Sequence, residues 1–144
     1  MKNILLISII IISIISCKNS KVVEEKYENG KTKSIKTTLE NGLVEELYYY
    51  ENGKIQQESF FKNSQKDSTW TFYFQNGKTW SMKNYKEGKL NGYSAVYFPN
   101  GKLYYEGDYK NDLKQGKWYF YNDIGVNIKL IEYLNDSIIE SFNY

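Results

Sequence analysis

The pentapeptide Tyr50-Glu51-Asn52-Gly53-Lys54 returns at a 24-residue step as Phe74-Gln75-Asn76-Gly77-Lys78 and again as Phe98-Pro99-Asn100-Gly101-Lys102. An earlier copy is Tyr27-Glu28-Asn29-Gly30-Lys31, and a degenerate later one keeps only Gly125. Phe61, Tyr85, Tyr109 and Tyr133 follow the same step, as do Ser68, Gly92 and Gly116, and Trp70, Ser94 and Trp118. A fixed period of this length means stacked units, each burying its apolar surface only against its neighbours. Globular folds with a single closed core are thereby disfavoured.

Asn-Gly is the strongest short hairpin signal, because both residues of a two-residue type I′ loop must accept positive φ. Gly30, Gly53, Gly77 and Gly101 are therefore read as structural turn residues. The intervening runs are rich in Tyr, Phe, Ile and Thr, as β-strands require. They fall near 22–27, 32–39, 43–50, 54–61, 69–74, 78–85, 92–98, 102–109, 117–121, 127–133 and 138–143. None shows an apolar period of 3.6, so no helix is expected after residue 17. The opposite turns, 62–68, 86–92 and 110–116, read as longer return loops. Their lysines form a basic row that reads as a solvated edge, with contact to anionic headgroups as the alternative.

The first residues stand apart. Lys2 precedes an almost wholly apolar run from Ile4 to Ile15, too short for a bilayer span and of signal-peptide length. The closing Ile14-Ile15-Ser16-Cys17 resembles the lipobox of bacterial lipoproteins. That resemblance implies removal of residues 1–16, a lipid thioether on Cys17, a tether over 17–21 and a repeat domain over 22–144. It places the protein in the cell envelope, attached to a membrane through Cys17. Lys18, in place of the Asp that retains lipoproteins at the inner membrane in some bacteria, favours the outer membrane.

Composition narrows the functions further. The chain has 19 lysines, no arginine, no histidine and 17 acids. Without a basic excess or arginine, nucleic-acid binding is not expected. With Cys17 lipidated, no Cys or His remains for metal ligation or nucleophilic catalysis, so neither metal nor cofactor is expected. Glu106 and Asp108 share a strand face, but the sequence places no cleft around them.

The units Gly92…Tyr97-Phe98-Pro99-Asn100-Gly101-Lys102-Leu103…Glu106-Gly107-Asp108-Tyr109 and Gly116-Lys117-Trp118-Tyr119-Phe120-Tyr121 resemble the bacterial variant of the MORN repeat. Its pattern is Gly-x-Trp, an aromatic pair, Asn-Gly-Lys-Leu, then Tyr-x-x-Gly. Ser68, Ser94, Ser64 and Asp112 depart from it and read as repeat decay. The resemblance implies an all-β fold, an elongated and twisted antiparallel sheet of stacked hairpins. Many bacterial members are labelled antitoxins of toxin–antitoxin systems.

If Asn-Gly closes two-residue loops, Tyr73 faces Trp80 and Tyr97 faces Tyr104. One face then collects Trp70, Phe72, Phe74, Val96, Phe98, Leu103, Trp118 and Phe120 as a core or concave surface. The other carries Tyr73, Trp80, Tyr97 and Tyr104 as an aromatic stripe in a polar frame. Amphipathic rings on a rigid surface suit a protein or envelope-polymer partner. The expected function is thus a non-catalytic binding module, with an immunity or antitoxin-like protein as the alternative. A glycan-active enzyme is the weakest reading.

Overall fold

The computed structural model describes residues 21–144. The leader over 1–16, Cys17 and the tether as far as residue 20 lie outside the described residues. Every regular element among the described residues is a strand: β1 Lys21–Lys26, β2 Thr32–Thr38, β3 Leu43–Tyr49, β4 Ile55–Lys62, β5 Gln65–Tyr73, β6 Thr79–Lys86, β7 Lys89–Tyr97, β8 Leu103–Lys110, β9 Leu113–Tyr121, β10 Asn127–Leu134 and β11 Ser137–Asn143. They form one 11-stranded sheet in strictly sequential order. All neighbours run antiparallel. At about 4.8 Å between strands, the sheet is on the order of 50 Å across. Lys21, read as tether, instead begins β1 and pairs with Thr38.

A single layer leaves little to bury. Among the large apolar side chains of the described residues, only Trp70, Trp118, Ile131 and Tyr133 are buried. Stability must therefore come from contacts between adjacent strands, as in other linear repeat folds.

The two kinds of turn are the reverse of the expectation. At Phe74-Gln75-Asn76-Gly77-Lys78, Phe74 N–H donates to Lys78 O and Gly77 N–H to Phe74 O, both at 2.8 Å. Gly77 has φ +90°, whereas Asn76 is not in the left-handed region. This is a three-residue loop, a type I turn closed by a glycine bulge, and the same Asn-Gly dipeptide serves it because only the glycine needs positive φ. The two-residue type I′ loops lie at the opposite edge, at Asn63-Ser64, Glu87-Gly88, Asn111-Asp112 and Asn135-Asp136, where both residues have positive φ. The segments read as long return loops are strand almost to their tips.

The extra loop residue changes the register. Tyr73 pairs with Thr79 and Phe72 with Ser81, leaving Trp80 as the unpaired residue of a bulge. Tyr97 pairs with Leu103 and Val96 with Tyr105, leaving Tyr104 in the same situation. Strict alternation of faces fails at such a bulge, since two residues of one strand oppose one of the other.

Candidate functional site

The expected pairs Tyr73–Trp80 and Tyr97–Tyr104 do not form. Trp80 lies against Phe72 and Phe74, with centroids 6.2 Å away in each case. Tyr104 lies 4.8 Å from Phe98 and 5.3 Å from Tyr105. Trp80 and Tyr104 therefore join the aromatic face assigned to Phe72 and Phe98, while Tyr73 and Tyr97 occupy the other. The physical reason is the bulge, which the dipeptide Asn-Gly does not reveal. Trp80 is 49% exposed and Tyr104 45% exposed.

On the same face, two indoles anchor the sheet. Trp70 sits between Phe61 at 5.0 Å and Tyr85 at 5.3 Å, and its Nε1–H donates to Phe60 O at 2.9 Å. Trp118 sits between Tyr109 at 5.0 Å and Tyr133 at 6.1 Å. Each carries a lysine: Lys66 Nζ is 4.5 Å from the Trp70 centroid, and Lys114 Nζ is 5.1 Å from that of Trp118. Two members of the basic row are thus committed to cation–π contacts. Ser94, 24 residues from each tryptophan, supplies no ring to the middle repeat.

The opposite face carries a carboxylate held by two phenols. Tyr93 Oη–H donates to Glu106 Oε2 at 2.6 Å, and Tyr121 Oη–H donates to Glu106 Oε1 at 2.8 Å. Burial, then the bond to Glu106, pushes the Tyr121 hydroxyl up to about 12, and the Tyr93 hydroxyl rises for the same reasons. Tyr97 Oη contacts Met82 Sδ at 4.0 Å. Tyr73, which burial also raises, lies near Glu58. Both oxygens of Glu106 are occupied as acceptors, which suits bracing of β7, β8 and β9.

The Asn-Gly-Lys motif proves to be a staple between repeats. Lys54 Nζ donates to Asn76 O at 2.8 Å, Lys78 Nζ to Asn100 O at 2.6 Å, and Lys102 Nζ to Ile124 O at 2.6 Å. Asn52, Asn76 and Asn100 each work twice. Asn76 Oδ1 accepts from Lys78 N–H at 2.9 Å, while its Nδ2 donates to Pro99 O at 3.0 Å in the next turn. Gly30, Gly53, Gly77 and Gly101 all have positive φ. At Gly101 a second constraint operates, because an added Cβ would lie 3.2 Å from Lys78 Cδ.

Aspartates staple the other edge. Leu90 N–H donates to Asp112 Oδ1 at 2.8 Å and Asp112 N–H returns to Leu90 O at 2.9 Å. Lys114 and Asp136 repeat this exchange at 2.7 and 3.1 Å. Asp112, read as decay, is a structural residue. Aspartate recurs 24 residues on, at Asp136, so the repeat step itself marked the position, while its partner was set by the stacking of the repeats.

The geometry defines a meander of stacked β-hairpins, linked turn to turn by lysines along one edge and, at Asp112 and Asp136, by aspartates along the other. Residues 44–63, 66–87 and 90–111 match the MORN repeat variant. These segments coincide with the hairpins β3–β4, β5–β6 and β7–β8. Lys31 Nζ to Glu51 O and Lys102 Nζ to Ile124 O, both 2.6 Å, extend the same architecture beyond them. No curated protein matches the chain.

Proposed function

We propose that this chain is a non-catalytic binding module held in the cell envelope through a lipid on Cys17, with a protein or envelope polymer as its partner. The observation that carries the reading is the exposure of Trp80 and Tyr104 on an otherwise braced sheet. Both rings rest on Phe72, Phe74, Phe98 or Tyr105, so little side-chain freedom is lost when a partner covers them. Aromatic anchors of this kind dominate protein interfaces. The reading assigns no catalytic residue, cofactor or metal. Attachment at Cys17 would set the sheet close to the membrane, and Lys18 favours the outer one.

Affinity capture of the lipidated protein from its own envelope tests this, with Trp80→Ala/Tyr104→Ala as the comparison. Loss of a specific partner in a folded double variant supports the surface; full retention refutes it. Capture of a toxin would assign the surface to neutralisation, the antitoxin-like use. Fractionation of Cys17→Ala tests the anchor: retention in the membrane at the wild-type level would remove the lipid from the reading.

A further inference from the structure

Phe72, Ser81, Val96, Tyr105 and Phe120 form one row across β5 to β9, each paired with the next. Ser81 is its small member; 24 residues on, the equivalent residue is Tyr105. The missing ring opens a groove of about 240 Å³ over buried Ser81, walled by Phe72, Val96 and Tyr105, with Trp80 and Lys83 at its margins. That is below the ~300–1,000 Å³ of sites that enclose a whole small ligand. It suits a single ring.

Lys83 is the charged group of this groove. The equivalent positions in the flanking repeats are Ser59 and Gly107, both buried and small. Lys83 pairs across the strands with Trp70 on one side and Ser94 on the other. Five other lysines on the sheet are engaged: Lys54, Lys78 and Lys102 cap carbonyls, and Lys66 and Lys114 sit over rings. Among the described residues, Lys83 Nζ has neither an ion pair nor a hydrogen bond, though the side chain is half-buried. A cation beside apolar walls, without its own counter-ion, is complementary to an anion delivered with an apolar group.

The geometry points to a protein partner that seats one aromatic side chain in this groove and sets a neighbouring carboxylate against Lys83. The inference rests on the binding-module reading and names the chemistry of its partner. An anionic polysaccharide offers the charge but no flat ring to fill the walls.

The test uses the full-length protein in detergent and follows the indole N–H resonances of Trp70, Trp80 and Trp118 by NMR. N-acetylphenylalanine should shift Trp80 and leave Trp118 in place. Its carboxamide analogue should bind about threefold or more weakly, the range of one partly exposed charge pair. Lys83→Met should erase the difference between the two probes. Ser81→Tyr, which supplies the ring that Tyr105 supplies one repeat later, should abolish the response. Equal binding of acid and amide, equal binding of glucuronate, or full binding by a natively dispersed Ser81→Tyr variant would each overturn the inference. If Ser81→Tyr does not fold, the Lys83→Met comparison decides. Failure here with a partner still captured through Trp80 and Tyr104 would leave the module reading standing. Fragment binding without any captured partner would defeat that reading instead.

Discussion

Lys78 and Asn100 are joined by a hydrogen bond of 2.6 Å from Nζ to the backbone carbonyl, across two consecutive repeats. The bond explains why lysine follows Asn-Gly in the intact copies. A carbonyl at the tip of a type I turn has no strand partner, and the lysine of the preceding repeat satisfies it. The lysine stem passes over Gly101, so the motif's glycine serves its own turn and its neighbour's lysine together.

Replacing Lys78 by Met keeps the stem and removes the donor. The expected loss is about 0.5–1 kcal/mol, at the low end for a hydrogen bond because the site is exposed. Lys54, Lys78 and Lys102 changed together should lose close to the sum, since successive turns are roughly 10 Å apart. Urea unfolding is the measurement, with exposed Lys33→Met as the control. A triple variant no weaker than the control would show that the staples contribute nothing.

Gly107 is required by packing. A Cβ there would lie 2.3 Å from Cδ2 of Trp118, whose ring is boxed by Tyr109 and Tyr133. Gly107→Ala should destabilise by about 1–3 kcal/mol, as overpacking does. Combined with Trp118→Leu, it should show strong coupling in a double-mutant cycle. Additive effects would mean that the indole moves aside freely.

Ser68 has φ +59°, where its counterparts Gly92 and Gly116 have φ +99° and +64°. A non-glycine residue in this region is strained by about 1 kcal/mol. Ser68→Gly should therefore raise the melting temperature, despite the added freedom of the unfolded chain and the loss of the 3.0 Å bond to Asp67. Gly116→Ser should lower it. Opposite shifts in calorimetry would contradict the assigned strain.

The Tyr121–Glu106 pair makes stability sensitive to alkali. The folded state holds the Tyr121 proton to about 12, against 10.0 for a free phenol, through burial first and Glu106 second. The contribution is complete below the unfolded value and is lost as pH rises from 10.0 towards about 12. Tyrosinate absorbance and thermal melting across this window should follow that course. Glu106→Gln should lower the Tyr121 midpoint without returning it to the ordinary value, because burial remains. An unchanged midpoint would remove the carboxylate from the explanation.

The 24-residue period by itself determined a stack of repeated units, because such a period leaves each unit only its neighbours to pack against, and the Asn-Gly turns between strand-forming runs made those units β-hairpins. The eleven expected runs lie on the eleven observed strands for the same reason: aromatic and β-branched residues with turn signals define strands locally. Positive φ at Gly30, Gly53, Gly77 and Gly101 was likewise legible, being a property of one residue. Tertiary structure decided what depends on register. Asn-Gly fits both a two-residue loop and a three-residue loop with a bulge, and the choice moved Trp80 and Tyr104 from the face of Tyr73 and Tyr97 to that of Phe72 and Phe98. The lysine and aspartate staples, the acceptors of Tyr93 and Tyr121, and the groove over Ser81 were hidden for one reason. Each joins residues on different strands, and their meeting is set by the stacking of whole repeats.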